Sequence, residues 1–222
     1  MLPSTDYHKS TLLSLRLLRN NVLLALTVEK GETLNILLTG DISSFSVCLA
    51  RKFSKEGHKV VLAGPDPGIL PDKLQRVTFH QIAVDDILFQ KTLSRYRFDV
   101  LVFVGSREEN LTSASGLHSG AMLDGLQNAL ELAKNEKLDH FFFISSTEIY
   151  GNAANTDESV EIDPISINGF ALASAENICL HYQDLYQLSM TICRVPNLYS
   201  VYGCNGLLFN LVEQFKRKSK II

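Results

Sequence analysis

The sequence has no excess of charge of either sign. Its 222 residues include 21 lysines and arginines and 24 aspartates and glutamates, which gives a formal net charge of −3 at neutral pH. Proteins that bind nucleic acid through its phosphates present a basic surface, so this composition predicts no nucleic-acid partner. Hydrophobic residues make up 45% of the chain and charged residues 20%, which predicts a globular fold rather than a disordered chain.

Cysteine and histidine are sparse and scattered. The four cysteines form no C-x-x-C pair, and the six histidines show neither H-x-x-x-H nor H-E-x-x-H spacing. This distribution predicts neither a disulfide framework nor a metal site. A reducing, cytoplasmic environment is the corresponding expectation.

Long uninterrupted apolar runs are also missing. Residues 11–28 are rich in leucine, but two arginines and two asparagines interrupt them and leave only residues 22–28 without a break. That run is too short to span a bilayer, and no small-residue cleavage site follows it as in a signal peptide. The leucine spacing favours a helix with one buried face. Residues 1–33 are therefore predicted to form a helical leader that packs on another domain or a second copy of the chain.

From residue 34 onward, short apolar runs alternate with helical stretches. This alternation predicts an α/β fold with a doubly wound parallel sheet, because right-handed crossovers leave few other topologies. Residues 34–222 are expected to form this domain. The predicted strands cover 35–39, 59–63, 75–84, 99–104, 141–145 and 190–194, and the predicted helices cover 44–56, 87–96, 122–135 and 171–187.

Two segments share a motif frame with a known family. S-S-T-E-I-Y-G occupies residues 145–151, and Pro164 is followed by N-G-F-A-L-A-S-A-E at 168–176. This frame resembles the extended short-chain dehydrogenases/reductases, the NAD-dependent nucleotide-sugar epimerases and dehydratases, with S-S-x-x-x-Y-G and P-x-x-x-Y-G-x-S-K-x-x-x-E. In that family the tyrosine of the second motif is the acid/base, and the lysine lowers its pKa and holds the cofactor ribose. Asn168 and Leu172 stand at these two positions.

The resemblance implies a Rossmann-like sheet that binds NAD or NADP at a T-G-x-x-G-x-x-G turn after the first strand. Thr39 and Gly40 match this turn, whereas Ser43 and Ser46 replace its second and third glycines. We expect a side chain at Ser43 to intrude on the pyrophosphate and to strain a backbone that requires positive φ.

Two acids near this turn bear on the cofactor. Asp41 adds negative charge near a helix N-terminus that would otherwise receive phosphate. Asp66 is the acid that follows the second predicted strand, where the family often holds the adenosine ribose. Together with the two serines, Asp41 predicts weak or lost binding of NAD or NADP.

Three residues correspond to reactive or binding positions of the family. Ser146 stands at the place of the catalytic serine or threonine. Glu148 is most similar to the dehydratase and decarboxylase branch, in which a glutamate here can serve as a base. Asn197, in C-R-V-P-N-L-Y, corresponds to an asparagine that positions the substrate diphosphate. Without the tyrosine, we favour Ser146 as a cap of the strand end and Glu148 as a solvated or paired carboxylate.

Two function classes remain. The first is a non-catalytic family member that keeps the fold as a binding or interaction module, with a nucleotide sugar, a second copy of the chain or another protein as partner. The second is an active NAD(P)-dependent nucleotide-sugar epimerase, dehydratase or decarboxylase that uses Ser146 and Glu148. General acid/base assistance contributes about 10²- to 10⁴-fold, so loss of the tyrosine favours the first class. Family members continue past residue 222 with more of a substrate region, which is expected to be incomplete here.

Overall fold

The computed structural model describes residues 33–65, 75–105, 117–153 and 157–196. Strands and helices alternate through this part of the chain. In chain order they are β1 Asn35–Gly40, α1 Ser44–Lys55, β2 Lys59–Gly64, β3 Val77–Gln81, α2 Phe89–Leu93, β4 Val100–Val104, α3 Leu117–Glu136, β5 His140–Ser146, a 3-10 turn Thr147–Tyr150, α4 Ile167–Tyr186 and β6 Met190–Val195.

The strands form one parallel sheet in the order β3-β2-β1-β4-β5-β6. This is the predicted doubly wound sheet. The chain turns from one half of the sheet to the other between β1 and β4, which is the place where such sheets bind ligands at the carboxyl ends of their strands.

Most strands are buried on both faces because their apolar residues run almost without a break, whereas β3, at the edge of the sheet, has no buried residue. Leu37, Leu101 and Phe103 point to one face, which α2, α3 and α4 cover. Ile36 and Val102 point to the other face, which α1 covers with residues such as Phe53. Neighbouring residues of one strand thus join different cores, as the two-residue period of a strand requires.

Several helix boundaries differ from the predicted ones. Helix α2 is only five residues long, and Ile87, placed in it by the sequence pattern, is 93% exposed. Helix α3 begins at Leu117, five residues before its predicted start. Helix α4 begins at Ile167 rather than residue 171, because Ser166 caps it and accepts a 2.9 Å hydrogen bond from Gly169 N. Apart from its last residue, the predicted leader 1–33 lies outside the described residues.

Within the described ranges, no helix is long and apolar enough to cross a membrane.

Candidate functional site

The turn after β1 brings the backbone of two strands into close approach. Gly40 has a φ of +91°, and a Cβ atom there would lie 2.2 Å from the carbonyl oxygen of Val104 on β4. Only glycine fits such a position. Asp41 N donates a 2.8 Å hydrogen bond to the same oxygen. On the other side, Thr39 Oγ1 donates to Ala63 O of β2 at 2.8 Å. Thr39 and Gly40 therefore fix the turn against both neighbouring strands.

The serines that replace the family's glycines fit this turn without strain. Ser43 is the N-cap of α1 with a φ of −94° and makes no side-chain cap hydrogen bond. The expectation of positive φ at Ser43 is therefore wrong, because the left-handed position of the turn is Gly40. Ser46 is fully buried, and its Oγ donates to Asp41 O at 2.5 Å. The Ser46 side chain thus lies inside the turn and is hydrogen-bonded to its backbone.

Ile42 was not singled out in the sequence, yet it occupies the carboxyl end of β2. Its side chain is 6% exposed, and its Cγ1 lies 2.3 Å from where a Cβ atom of Gly64 would stand. In dinucleotide-binding sheets the adenosine ribose approaches this strand end. Asp66, predicted to meet that ribose, lies outside the described residues.

At the carboxyl end of β5, Ser146 and Glu148 form a capped turn. Ser146 Oγ accepts a 3.2 Å hydrogen bond from Glu148 N and so caps the 3-10 turn. Ser146 is buried, whereas Glu148 is half-buried. The strands are parallel, so Ser146 lies at the same sheet edge as Gly40, as predicted. The interpretation of Ser146 as a cap agrees with this geometry.

The Glu148 carboxylate is held by two side chains from the start of α4. Asn168 Nδ2 donates a 2.7 Å hydrogen bond to Oε2, and Ser166 Oγ donates to Oε1. The helix comes this close because Gly169 lacks a side chain; a Cβ atom there would lie 3.1 Å from Glu148 O. Asn168, at the family's tyrosine position, is therefore hydrogen-bonded to Glu148. The signal for Ser166 in the sequence is its place as a helix cap.

Leu172, at the family's lysine position, belongs to the hydrophobic core. It is 1% exposed, and its Cδ2 lies 2.7 Å from where a Cβ atom of Gly105 would stand, just after β4. The side chain can neither carry charge nor donate a hydrogen bond. An apolar contact between α4 and the end of β4 therefore replaces the polar group that the motif frame leads one to expect.

A buried ion pair fastens the adjoining elements. Arg194 on β6 donates to both carboxylate oxygens of Glu176 on α4, with the shortest contact 2.7 Å from Nη2 to Oε2. Its Nη1 donates to Tyr150 Oη at 2.7 Å. Burial opposes the charge on Arg194, but the hydrogen bonds and charge of Glu176 outweigh it and raise the guanidinium pKa. This network joins the 3-10 turn, α4 and β6. Asn197, two residues beyond β6, lies outside the described residues.

No group of three or more histidine, cysteine, aspartate or glutamate side chains suited to a metal ion occurs within the described ranges.

The sheet order, the glycine at the β1 turn and the two motif segments at one edge agree with a family comparison. The profile described as the NAD dependent epimerase/dehydratase family matches residues 36–222. The chain belongs to this family. One relative is protein CapI of Staphylococcus aureus. It is 27% identical to this chain over 188 residues, and the match covers 77% of this chain and 56% of CapI.

Solved structures with the same fold include two sugar-nucleotide epimerases. A UDP-galactose 4-epimerase superposes with a TM-score of 0.70 at 22% identity, covering 82% of this chain and 63% of its own. UDP-glucuronic acid 4-epimerase from Bacillus cereus, solved in complex with NAD, has a TM-score of 0.70 at 22% identity and covers 83% and 63%. This family member therefore spans less than two-thirds of the length of these relatives.

Proposed function

We propose that this chain is a non-catalytic member of the NAD-dependent epimerase/dehydratase family that uses the fold as a binding or interaction module. The observation that carries the proposal is the 2.7 Å hydrogen bond between Asn168 Nδ2 and Glu148 Oε2. It pairs the residue at the tyrosine position with the nearest candidate base.

The chemistry of the two family positions supports this proposal. Bound NAD would take up and return a hydride at a sugar carbon, and that reaction requires a group that accepts and returns the hydroxyl proton. An asparagine side chain does not titrate, so Asn168 cannot be that group. Leu172 cannot lower a neighbouring pKa or bind ribose hydroxyls. Such assistance contributes about 10²- to 10⁴-fold, which is the loss that we attribute to Asn168 and Leu172.

We also infer that NAD or NADP binds weakly or not at all. Thr39 and Gly40 suit a dinucleotide, because they keep the tight turn on which the pyrophosphate would lie. Three other side chains oppose it: Ser46 closes the turn from within, Ile42 covers the end of β2 and Leu172 covers the end of β4. Ser43 and Asp66 complete the set of residues that would face the cofactor.

The proposed ligand is a nucleotide sugar. The Bacillus cereus relative has also been solved with UDP-glucuronic acid and NAD, and a Thermotoga maritima relative with UDP-glucose. Asn197 is the residue through which we expect the diphosphate to be positioned. A homodimer or another protein partner, and a cytoplasmic location, are part of the same proposal. The described cysteines, Cys48, Cys179 and Cys193, are free thiols, which suits a reducing compartment.

One observation favours the alternative of an active epimerase, dehydratase or decarboxylase. Glu148 is half-buried at the ligand edge of the sheet beside Ser146, and two donors fix the direction of its carboxylate. A base must be held in this way to act on a substrate. Asn168 would then orient Glu148 rather than block it.

Turnover by the full-length protein separates the two proposals. UDP-glucose, UDP-glucuronic acid and dTDP-glucose would be incubated with NAD or NADP, and products followed by NMR, with the Bacillus cereus epimerase as positive control. We expect product at the level of the protein-free blank, and calorimetry with NAD(H) or NADP(H) should give no low-micromolar binding. Turnover at an ordinary enzymatic rate that Ser146→Ala and Glu148→Gln abolish would establish the alternative.

A further inference from the structure

A groove lies at the sheet edge opposite to Gly40 and Ser146. It has a volume of about 520 Å³ and opens between the amino-terminal ends of the strands. Asn35 begins β1 and Lys59 begins β2, while Arg76 immediately precedes β3. The segment that leads into β4 supplies Arg95, Tyr96 and Arg97. The family's ligand edge is on the other side of the sheet, so this groove is a separate feature.

The groove is basic although the chain as a whole is not. Four of the described lining residues are cations, and none of the described lining residues is acidic. The formal net charge of the chain is −3, so the groove is a local reversal of sign. Lys59, Arg95 and Arg97 are exposed, and none of the three forms an ion pair with a carboxylate of the described residues.

Two acidic side chains of the described residues lie near the groove, and both have partners. Asp99 Oδ2 accepts hydrogen bonds from Asn35 N at 2.6 Å and Asn35 Nδ2 at 3.0 Å. Glu56, close to the start of β2, pairs with Lys52 at 2.7 Å. Lys52 balances the charge of Glu56, whereas Asp99 keeps its charge but directs Oδ2 at Asn35.

Part of the groove wall is ordered in advance. Arg76 Nη1 donates a 2.5 Å hydrogen bond to Gly57 O, which fixes the direction of its guanidinium. The Tyr96 hydroxyl contacts His80 Nε2 at 2.6 Å, and the Tyr96 ring stacks on Phe98 with centroids 5.7 Å apart. The ligand would therefore meet a placed cation and a rigid aromatic wall, which lowers the entropic cost of binding.

We propose that this groove binds a small organic phosphate with at least two negative charges. Arginine guanidinium groups match phosphate oxygens with paired hydrogen bonds, and lysine adds a point charge. Small-ligand pockets typically measure about 300–1,000 Å³, so the groove suits a compact molecule rather than a polymer. Val60, Val61 and Phe98 form an apolar floor for the organic part. The site does not depend on the function proposed for Glu148 and Asn168.

The test titrates the full chain with inorganic tripolyphosphate in calorimetry at low salt. Arg97→Glu and Arg95→Glu should each weaken binding by about tenfold or more, since each removes charge-assisted hydrogen bonds and adds repulsion. Lys137→Glu is the matched control, because Lys137 is exposed and precedes β5, on the other half of the sheet. It should change the affinity by less than about twofold, a size typical of exposed charges.

Amide chemical shifts in NMR locate the bound anion. Shifts at Asn35, Lys59 and Thr78 that saturate with the calorimetric affinity support the groove. Shifts at Gly40 and Ser43 instead would place the phosphates at the opposite edge and overturn the proposal. Equal loss of affinity in Arg97→Glu and Lys137→Glu overturns it as well, because it indicates unspecific attraction. A dissociation constant above about 1 mM for the unmodified chain would also overturn the proposal.

Discussion

Asn168 and Glu148 lie twenty residues apart and are joined by a 2.7 Å hydrogen bond between amide and carboxylate. A tyrosine at this position would carry a hydroxyl that can be deprotonated. The present pair instead satisfies itself: the amide is a donor that cannot be deprotonated, and the carboxylate is its acceptor. The edge of the sheet that carries the family's reagents therefore has an internal polar contact.

Asn168→Asp tests that contact. Two carboxylates would then share one site, so the pKa of one of them rises above its value in the unfolded chain. We expect a loss of about 1–3 kcal/mol in unfolding free energy near neutral pH, which shrinks as the pH falls and one carboxylate is protonated. Urea denaturation at several pH values measures it. Asn152→Asp, the same change at an exposed residue, is the control, and equal stability of the two variants would contradict the prediction.

Leu172→Lys should destabilise the fold by about 2–4 kcal/mol, because an ammonium group replaces an apolar side chain in the core. Leu172→Met, which nearly conserves volume, should cost less than about 1.5 kcal/mol. Thermal and urea unfolding measure the stability of the Leu172 variants.

The double variant Asn168→Tyr, Leu172→Lys is not expected to restore turnover of nucleotide sugars, since Ile42 and Ser46 still occupy the turn. Product analysis measures the turnover of the double variant, and full activity would refute this expectation.

Most strands were predictable because they contain a continuous apolar run, and β4, predicted at 99–104, covers Val100–Val104. Strand β3, V-T-F-H-Q, has no such run and covers only residues 77–81 of the predicted 75–84. Helix α2 was not predictable, because Ile87 and Leu88 fit a helical pattern yet lie exposed at 93% and 53%. The candidate site is predictable at the level of single residues: Ser146 and Glu148 lie where the motif frame puts them. The partner of Glu148 depends on how the 3-10 turn meets the start of α4, and the contact of Ile42 with Gly64 depends on strand register. Neither relationship is local in sequence.

Gly40→Ala should cost at least about 2 kcal/mol, because the new Cβ atom meets the Val104 carbonyl and the backbone stays left-handed. Gly120 on α3 provides the opposite case, with nothing within 4 Å of an added Cβ atom. Gly120→Ala should stabilise the chain by about 0.5–1 kcal/mol, since alanine is the better helix former. Urea midpoints measure both changes. A similar effect of the two substitutions would rule out the close approach as the cause.

His140 should make stability depend on pH in the mildly acidic range. Burial lowers its pKa from the ordinary value of 6.5, and its ring nitrogens contact Ser189 Oγ and Thr191 Oγ1 at 2.8 and 2.9 Å. As the pH falls, His140 is therefore protonated in the unfolded chain before it is protonated in the folded chain. The full stability is present above the ordinary pKa of histidine and is lost as the pH falls below it. His140→Gln should flatten the curve of unfolding free energy against pH. His181→Gln, at an exposed position of α4, should leave its slope unchanged, and a flattening by both variants would count against burial as the cause.

The hydrogen bond from Asp41 N to Val104 O makes it possible to measure how often β1 and β4 separate at their carboxyl ends. That amide hydrogen exchanges with solvent only when β1 and β4 separate at their carboxyl ends, because the two strands share it there. Its exchange rate in deuterated water therefore reports how often the sheet opens at the switch between its halves. A molecule that binds at this edge should slow the exchange, whereas an anion held at the opposite edge should leave it unchanged.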